Sequence, residues 1–331
     1  MARVSRLFFR TEASTEIGMG HFMRCFAIAE EARGRGSQVT FLLNRIDNAV
    51  MPWLEQIGAL GQVLPTAIGS DDDLANLDLS RQDWLVIDSY KATAAYVAAA
   101  RQRACVAVID DLNALAGYDC DLLINTALSA SATDYADKTS ARLLLGAEYA
   151  LVRAEFCAPR QPAADQPFVV VMFGGSDPTG LTPSVATALH DALEGVTIRV
   201  VAGPANRQFA ALQALSDKLP RLQLHISPPS VAQVLYGAEL VLTAAGGSVG
   251  EIAAMGLAAS VLVVYDNQKA ALEACPFPVI DVRDGLPPGM ANHVKLLLAD
   301  PSARDEVASR ARTMIDGEGP VRILNAMKNH A

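Results

Sequence analysis

The sequence predicts an α/β protein with two domains, each a parallel β-sheet covered by helices on both faces. Its 331 residues are enough for two domains that each bury a core. Short apolar runs alternate with helical segments along the chain, which is typical of repeated β-α units. A proline-rich segment at 158–167 interrupts this alternation, and the same pattern begins again after it. We therefore expect one domain at residues 1–157 and a second at 168–331.

The strands are predicted from short apolar runs bounded by turn residues. Before the proline-rich segment they are 7–10, 39–43, 61–64, 84–88, 106–110, 122–124 and 143–145. After it they are 168–173, 197–202, 222–226, 240–243, 260–264 and 279–281. Helices fit between most of these strands, so both sheets are expected to be doubly wound.

Local signals mark several helix ends. Thr182 followed by Pro183 is typical of an N-cap and a first-turn proline. Ser230 is placed to cap a helix that runs to Ala238. The last three predicted helices are 289–299, 302–316 and 320–328.

The composition is that of a folded protein, since 51% of the residues are hydrophobic and 19% are charged. The formal net charge of −9 argues against a general nucleic-acid-binding or acidic-membrane-binding protein, because either needs a basic surface. An anionic ligand must then be bound by local groups.

The cysteines and the apolar segments are evidence for the cellular compartment of the protein. Five widely separated cysteines predict neither a disulfide framework nor a CxxC metal site. The first residues carry arginines and no secretory core. The longest uncharged apolar stretch, 253–265, is shorter than the roughly 20 residues that span a bilayer. We expect a cytoplasmic protein without membrane insertion.

The turn GMGHFMR at 18–24 holds the first candidate catalytic residue, His21. It follows a predicted strand and opens a helix, so it lies at the sheet edge where open α/β folds bind ligands. Gly18 and Gly20 would let the backbone approach a substrate closely. The helix N-terminus disfavours an imidazolium, and a neutral imidazole can act as a general base. Alternatively, the glycines only form a tight turn and His21 packs or caps the helix.

Two later glycine-rich turns also follow strands and run into helices. Their exposed backbone amides would bind a phosphate without lysine, and neither turn is a Walker A sequence. The candidate phosphate ligands are Gly174, Gly175 and Ser176 in the first turn and Gly246, Gly247 and Ser248 in the second. A dinucleotide fingerprint is incomplete at the N-terminal turn, so a conventional NAD site is not expected.

Glu251 lies about one helical turn after Ser248. If Ser248 and its neighbouring amides bind a phosphate, Glu251 is within reach of sugar hydroxyls. The same spacing also fits a capping box, with Ser248 as the cap and Glu251 three residues later. The spacing alone leaves both interpretations open.

Two further strand ends carry polar side chains. Asp110 and Asp111 are neighbours, and adjacent strand residues point to opposite faces, so they are not expected to form a paired-carboxylate or metal site. Asp88 and Tyr90 follow the 84–88 strand and can reach the same edge, although Tyr90 is equally compatible with a half-buried aromatic residue. We predict no metal and no cofactor.

In their order along the chain, these motifs resemble the PseG family of nucleotide-sugar hydrolases, which are related to MurG-type glycosyltransferases. The resemblance covers residues 10–322, nearly the whole chain. It rests on GMGHFMRC at 18–25, DSY at 88–90, IDDL at 109–112, CDLLI at 120–124, the stretch 143–156, FGGSDPTGLT at 173–182, AAGGS at 244–248, and Asn267 with Gln268.

The resemblance implies a GT-B architecture, with two Rossmann-like domains facing a cleft, UDP bound by the C-terminal domain and the sugar facing the N-terminal one. It implies that His21 is the base that activates water. It further implies roles for Tyr90, Asn267 and Gln268 at the sugar, Asn206 as another ligand, and Ser248 and Glu251 at the pyrophosphate and ribose.

The implied reaction is hydrolysis of UDP-2,4-diacetamido-2,4,6-trideoxy-β-L-altrose to the free sugar and UDP, in the pseudaminic acid biosynthesis that serves flagellin glycosylation. The UDP-sugar is the expected partner, and no obligate protein partner is implied. The alternatives are a GT-B glycosyltransferase that uses a UDP-sugar and a hydroxyl acceptor, and a noncatalytic nucleotide-sugar-binding protein.

The chain departs from the family pattern at several positions. Glu12 stands where the family has an aspartate, which adds a methylene near the sugar. Val249 replaces a threonine of the phosphate loop, and Gly250 replaces an aromatic residue. Ala258 replaces a proline. These departures bear on the choice of nucleotide sugar more than on the scaffold.

Overall fold

The computed structural model describes residues 4–13, 19–70, 72–158 and 166–330, and for Asn267 the backbone alone. The chain divides into two units of similar size. Unit 1 contains Met1–Ala154 and Gly317–Ala331, and unit 2 contains Glu155–Asp316. Most of the proline-rich segment lies outside the described residues.

Unit 1 is built on a seven-stranded sheet in which every strand is parallel to its neighbours, in the order β3-β2-β1-β4-β5-β6-β7. Its strands are β1 Arg6–Thr11, β2 Gln38–Leu43, β3 Leu60–Val63, β4 Trp84–Asp88, β5 Cys105–Ile109, β6 Leu122–Asn125 and β7 Arg142–Leu145. Its first three helices are α1 Gly20–Gly34, α2 Met51–Ile57 and α3 Ala94–Arg101. Alternate residues of each central strand join two separate hydrophobic clusters, so both faces of the sheet are covered.

Unit 2 is built on a six-stranded parallel sheet in the order β10-β9-β8-β11-β12-β13. Its strands are β8 Phe168–Met172, β9 Thr197–Ala202, β10 Leu222–Ile226, β11 Leu240–Ala244, β12 Ala259–Val263 and β13 Val279–Asp281. Its helices are α4 Thr182–Ala192, α5 Phe209–Lys218, α6 Val231–Leu235, α7 Ser248–Met255, α8 Ala271–Ala274, α9 Met290–Ala299 and α10 Pro301–Met314. The strand order places β8 and β11 side by side, so the glycine-rich turns that follow them share one sheet edge.

The predicted two-domain α/β class is confirmed, and each predicted strand is present with its ends shifted by at most two residues. The last predicted helix is present as α11, Gly319–Lys328, but it belongs to unit 1. The prediction that 168–331 forms one domain is therefore wrong at its end. The reason is packing: α11 lies against α1, and Ile323 and Leu324 are buried in the core of unit 1.

Two local predictions are also corrected. Thr182 is not the N-cap of α4, because the Asp177 carboxylate accepts hydrogen bonds from the backbone N–H groups of Leu181 and Thr182, at 3.2 and 2.9 Å. Ser230 does cap α6, through the N–H of Gln233, but that helix ends at Leu235. Gly237 follows with a φ of +80°, a conformation that ends a helix.

No helix among the described residues combines the length and the apolar character needed to cross a bilayer.

Candidate active site

His21 is the second residue of α1, directly above the carboxyl end of β1. Gly20 begins the helix, and a Cβ atom added there would meet no atom of the described residues within 4 Å. The inner face of α1 is anchored by Phe22, whose ring packs on that of Phe41 with centroids 4.8 Å apart. This anchoring fixes the helix and leaves His21 at the open end of the sheet. Gly18, also predicted to line the site, lies outside the described residues.

Asp88 holds the imidazole of His21. It ends β4, the neighbour of β1, and its Oδ1 lies 2.7 Å from Nδ1 of His21. The Asp88 side chain is only 1% exposed, whereas that of His21 is 14% exposed. A carboxylate can only accept a hydrogen bond, so Nδ1–H donates to Asp88 and the second ring nitrogen, Nε2, is left to accept a proton.

Arg24 lies one helical turn after His21 and binds two carboxylates. Its Nε and Nη2 donate to Oδ2 and Oδ1 of Asp88 at 3.1 and 2.7 Å, and its Nη1 donates to Asp111 Oδ2 at 2.7 Å. Burial alone would lower the pKa of Arg24, but Asp88 and Asp111 together raise it, so the guanidinium stays charged. The buried Asp88 charge is thus compensated by a fixed cation.

Tyr90 covers the imidazole from the loop after β4. Its ring meets that of His21 edge-on, with centroids 4.6 Å apart, and its hydroxyl donates to Asp111 Oδ2 at 3.0 Å. Burial and the nearby Asp111 charge raise the pKa of Tyr90 to about 12, so its hydroxyl remains a donor at neutral pH. The residue is nevertheless 60% exposed.

Glu12 is buried beside this group. It accepts hydrogen bonds from the Ser89 hydroxyl, at 2.7 Å, and from the Lys91 ammonium. Burial would raise the pKa of Glu12, but the hydrogen bonds from Lys91 and Ser89 and the charge on Lys91 outweigh it and lower the pKa. The longer side chain is therefore held in place as an anion.

Asp110 and Asp111 diverge, as the strand alternation predicts. Asp110 accepts from the Tyr135 hydroxyl at 2.6 Å and from the Asn113 backbone N–H, whereas Asp111 faces Arg24 and Tyr90. Over the described part of the chain, no group of three or more His, Cys, Asp or Glu side chains is placed to hold a metal ion.

Unit 2 contains a cavity of about 220 Å³ at the carboxyl ends of β8 and β11. Of the predicted ligands, Gly174, Gly175, Ser176, Gly246, Gly247, Ser248 and Gln268 line it. A Cβ atom added at any of the four glycines would meet no other atom within 4 Å, so the backbone is accessible there. Gly174 has a φ of +71°, which side chains rarely adopt and which explains the residue type.

The capping-box alternative for Ser248 and Glu251 is not supported. Gly247 occupies the N-cap position of α7 and Ser248 is its first residue, without a side-chain cap. Ser248 lines the cavity at the start of α7. Glu251 is half-buried in the first turn of α7 and does not belong to the cavity lining.

Two of the predicted ligands, Asn206 and Gln268, hydrogen-bond to nearby backbone groups. Asn206 is 4% exposed, and its side-chain oxygen accepts from the Gln208 backbone N–H at 2.8 Å, so it stabilises the turn before α5. Gln268 accepts from the Val264 N–H at 2.9 Å through Oε1. Asn267 lies in the same short 3-10 helix, Asp266–Gln268, and its side chain is outside the described set.

The roles of Arg24 and Thr243 were not predicted from the sequence. Arg24 stands one turn after His21, a spacing that brings two side chains of a helix together, and this was the available signal. Thr243 is the next-to-last residue of β11 and lines the unit 2 cavity, and its buried hydroxyl has no hydrogen-bond partner among the described residues. A threonine near the end of an otherwise apolar strand does not by itself indicate that its hydroxyl lines a binding site.

No protein-family model matches the chain. An uncharacterized protein of Methanocaldococcus jannaschii is 24% identical over 272 residues, 78% of this chain and 55% of that protein, so the chain spans about half the length of this relative. A UDP-2,4-diacetamido-2,4,6-trideoxy-beta-L-altropyranose hydrolase of Campylobacter jejuni is 21% identical over 250 residues, 74% of this chain and 87% of that protein.

Among solved structures, HepE of Anabaena in complex with UDP-glucose has a TM-score of 0.67 at 16% identity, covering 98% of this chain and 100% of that one. MurG of Acinetobacter baumannii has a TM-score of 0.65 at 17% identity, covering 98% and 99%. These similarities show that the chain has the GT-B fold, as expected from the motifs.

Proposed function

We propose that this protein is a hydrolase of UDP-linked sugars in which His21 activates the attacking water. The observation that carries the proposal is the His21–Asp88 pair at the open edge of the unit 1 sheet, in a chain of GT-B fold. Such a pair is the arrangement that a general base requires, because the carboxylate fixes the ring and Nε2 takes the proton.

The proposed reaction is a displacement at the anomeric carbon. Nε2 of His21 removes a proton from water, the water oxygen bonds to the anomeric carbon, and the bond between that carbon and the diphosphate oxygen breaks. The electron pair leaves with UDP, and the proton on His21 returns to solvent. No metal is needed in this scheme if backbone amides neutralise the leaving diphosphate.

Unit 2 is proposed to bind the UDP. Its glycine-lined cavity combines accessible amides, Ser248 at the start of α7 and Thr243, whose hydroxyl has no hydrogen-bond partner in the described part of the chain. These groups suit a diphosphate in a protein with a formal net charge of −9, which has no general excess of cations. Glu251, half-buried one turn further, is proposed to contact the ribose.

The substrate is proposed to be UDP-2,4-diacetamido-2,4,6-trideoxy-β-L-altrose, and the pathway pseudaminic acid biosynthesis in the cytoplasm. The support is the order of the motifs and the similarity to the hydrolase of Campylobacter jejuni. Tyr90, which is exposed beside His21, is proposed to contact the sugar, together with Asn267. Glycosyltransfer to a hydroxyl acceptor is the second candidate, because MurG and HepE share the fold over nearly their full length.

The test is to incubate the protein with a panel of UDP-sugars, with and without hydroxyl acceptors, and to follow products by NMR. Free sugar and UDP without an acceptor support hydrolysis, whereas turnover that requires an acceptor identifies a transferase. His21→Gln should lower turnover about 100- to 10,000-fold while UDP binding persists. His190→Gln is the matched control, since the His190 side chain is also 14% exposed and next to an aspartate but lies in unit 2. Full activity of His21→Gln would reject His21 as the base.

A further inference from the structure

We propose that Arg24 is a positioning residue that fixes the tautomer of His21 by holding the Asp88 carboxylate in place as a hydrogen-bond acceptor. The importance of Arg24 for catalysis rests on the proposed function. Its effect on the position of the His21 ring proton concerns the site without ligand. Arg24 acts through Asp88 and is not itself proposed to touch the substrate.

Burying the Asp88 carboxylate has a cost that must be compensated. Its side chain is 1% exposed, and a carboxylate so far from water remains charged only when a partner compensates it. Arg24 supplies that partner through two hydrogen bonds, from Nε at 3.1 Å and from Nη2 at 2.7 Å. Apart from His21 itself, no other cation among the described residues lies in hydrogen-bond contact with Asp88.

Three atoms of this group form a triangle that determines where the ring proton lies. His21 Nδ1, Asp88 Oδ1 and Arg24 Nη2 are separated by 2.7, 2.7 and 2.8 Å. The guanidinium has no acceptor and the carboxylate has no donor. If Nδ1 accepted a hydrogen bond from Nη2, its lone pair would also face that of Oδ1 at 2.7 Å, which is repulsive. When Asp88 is ionised, Nδ1 therefore carries the proton and donates it to Asp88.

Removal of Arg24 would reverse this proton arrangement. An uncompensated buried carboxyl favours its protonated form. In that form the Nδ1 proton has passed to Asp88, which donates it in a hydrogen bond back to Nδ1, and Nε2 has taken a second proton from solvent. An imidazole protonated at Nε2 has no lone pair there with which to accept a proton from water. Arg24 thus determines which ring nitrogen of His21 has a lone pair available to accept a proton.

Other charged and titratable groups face His21 from the neighbouring elements. Glu12 follows β1 and is paired with Lys91, Tyr90 lies on the loop after β4, and Asp111 follows β5 and binds Arg24 and Tyr90. Asp111 is the one that competes most directly for Arg24. It contacts Nη1, whereas Asp88 contacts Nε and Nη2, so the two roles of the guanidinium are separable.

The test is ¹⁵N NMR of the full-length protein labelled at histidine, without ligand. Comparison with His21→Gln identifies the His21 signals among those of the five histidines. In the wild type we expect the neutral ring to carry its proton on Nδ1. In Arg24→Met we expect the form protonated on Nε2 to become the major one. Arg35→Met, at the far end of the same helix, is the control and should leave the His21 signals unchanged.

Two further variants separate the contributions of Arg24. Arg24→Lys keeps the positive charge but cannot form both hydrogen bonds to Asp88, so we expect a tautomer ratio between those of the wild type and Arg24→Met. Asp111→Asn should keep the wild-type tautomer, because it leaves the Arg24–Asp88 contact. Thermal unfolding reports whether each variant is folded. A wild-type ring protonated on Nε2, an unchanged tautomer in folded Arg24→Met, or a tautomer change in Asp111→Asn would each overturn the proposal.

The NMR result does not depend on turnover, so it stands apart from the test of the hydrolase activity. If UDP-sugar hydrolysis is established, Arg24→Met should lower kcat and leave KM unchanged, by no more than the about 100- to 10,000-fold that loss of the base costs. A purely structural role of Arg24 would change stability without moving the ring proton.

Discussion

The Nδ1 atom of His21 lies 2.7 Å from Oδ1 of Asp88, although 67 positions separate the two residues. The contact arises from strand order: β1 and β4 are neighbours, and Thr11 at the end of β1 is paired with Asp88 at the end of β4. A helix that begins just after β1 therefore meets the last side chain of β4. The pair is a consequence of parallel topology and of a polar residue at one strand end.

Asp88→Asn should abolish most of the activity while keeping the shape of the site. The amide can donate to Nδ1, which places the ring proton on Nε2, and we expect turnover to fall about 100- to 10,000-fold. The measurement is UDP release at saturating UDP-sugar. Asp83→Asn is the matched control, because Asp83 is also buried and paired with an arginine but precedes β4 at the opposite sheet edge. Equal losses in both variants would contradict a specific role for Asp88.

The strands and the location of His21 were predictable because they depend on local patterns. Buried parallel strands leave apolar runs, and a glycine turn between a strand and a helix marks the sheet edge. The pairing of Asp88 with His21 and Arg24 was not predictable, because the sequence places Asp88 at this edge without showing that β4 lies beside β1. Residue 177 shows the same limit: its carboxylate caps α4 from a turn with a φ of +41°, while the local pattern favours Thr182 as the cap. Likewise, the apolar face of α11 predicts that the helix is packed on a sheet, but not on which of the two sheets.

Gly246→Val should weaken the binding of UDP without harming the fold. Gly246 lines the unit 2 cavity, and a Cβ atom there would meet no protein atom within 4 Å, so the added side chain enters the space proposed for the diphosphate. Titration calorimetry should show at least about a tenfold higher Kd, equivalent to roughly 1.4 kcal/mol. Gly289→Val, which also meets nothing within 4 Å but lies outside the cavity lining, should bind UDP as the wild type does. Unchanged affinity in Gly246→Val would place the nucleotide elsewhere.

The buried Arg10–Asp73 ion pair should be a large contributor to the stability of unit 1. Both side chains are 0% exposed, and Arg10 donates two hydrogen bonds of 2.7 Å to Asp73, which also accepts from the Tyr96 hydroxyl. Asp73→Ala leaves the guanidinium buried without its anion, and we expect a loss of about 3–5 kcal/mol. Both tryptophans, Trp53 and Trp84, lie in unit 1, so urea unfolding followed by tryptophan fluorescence reports on this unit.

Two comparisons control for charge and for volume. Asp78→Ala removes an aspartate that pairs with Arg6 but is 99% exposed, and it should cost no more than about 1 kcal/mol. The double variant Arg10→Met, Asp73→Leu replaces the pair by apolar side chains and should recover most of the loss. A loss in Asp73→Ala as small as that in Asp78→Ala would show that water or a shifted side chain compensates Arg10.

Unit 2 should lose stability at acidic pH because of His225. Burial, and then the nearby positive charge of Arg199, lower the pKa of His225 from its ordinary value of 6.5. Its Nε2 is buried without a hydrogen-bond partner among the described residues. Between the lowered folded value and 6.5 the unfolded chain binds more protons, so the free energy of unfolding falls as the pH drops through 6.5. This contribution is fully present above that pH and is lost below the folded value.

Hydrogen exchange of the β9 and β10 amides measures this effect within unit 2. In the wild type, protection of these amides should decrease between pH 7 and pH 5 after correction for the intrinsic exchange rate. His225→Gln cannot take up the proton and should show a smaller decrease. Arg199→Met should also reduce it, but less, because burial is the larger cause of the lowered pKa and remains. A decrease in His225→Gln equal to that of the wild type would assign the acid sensitivity to another group.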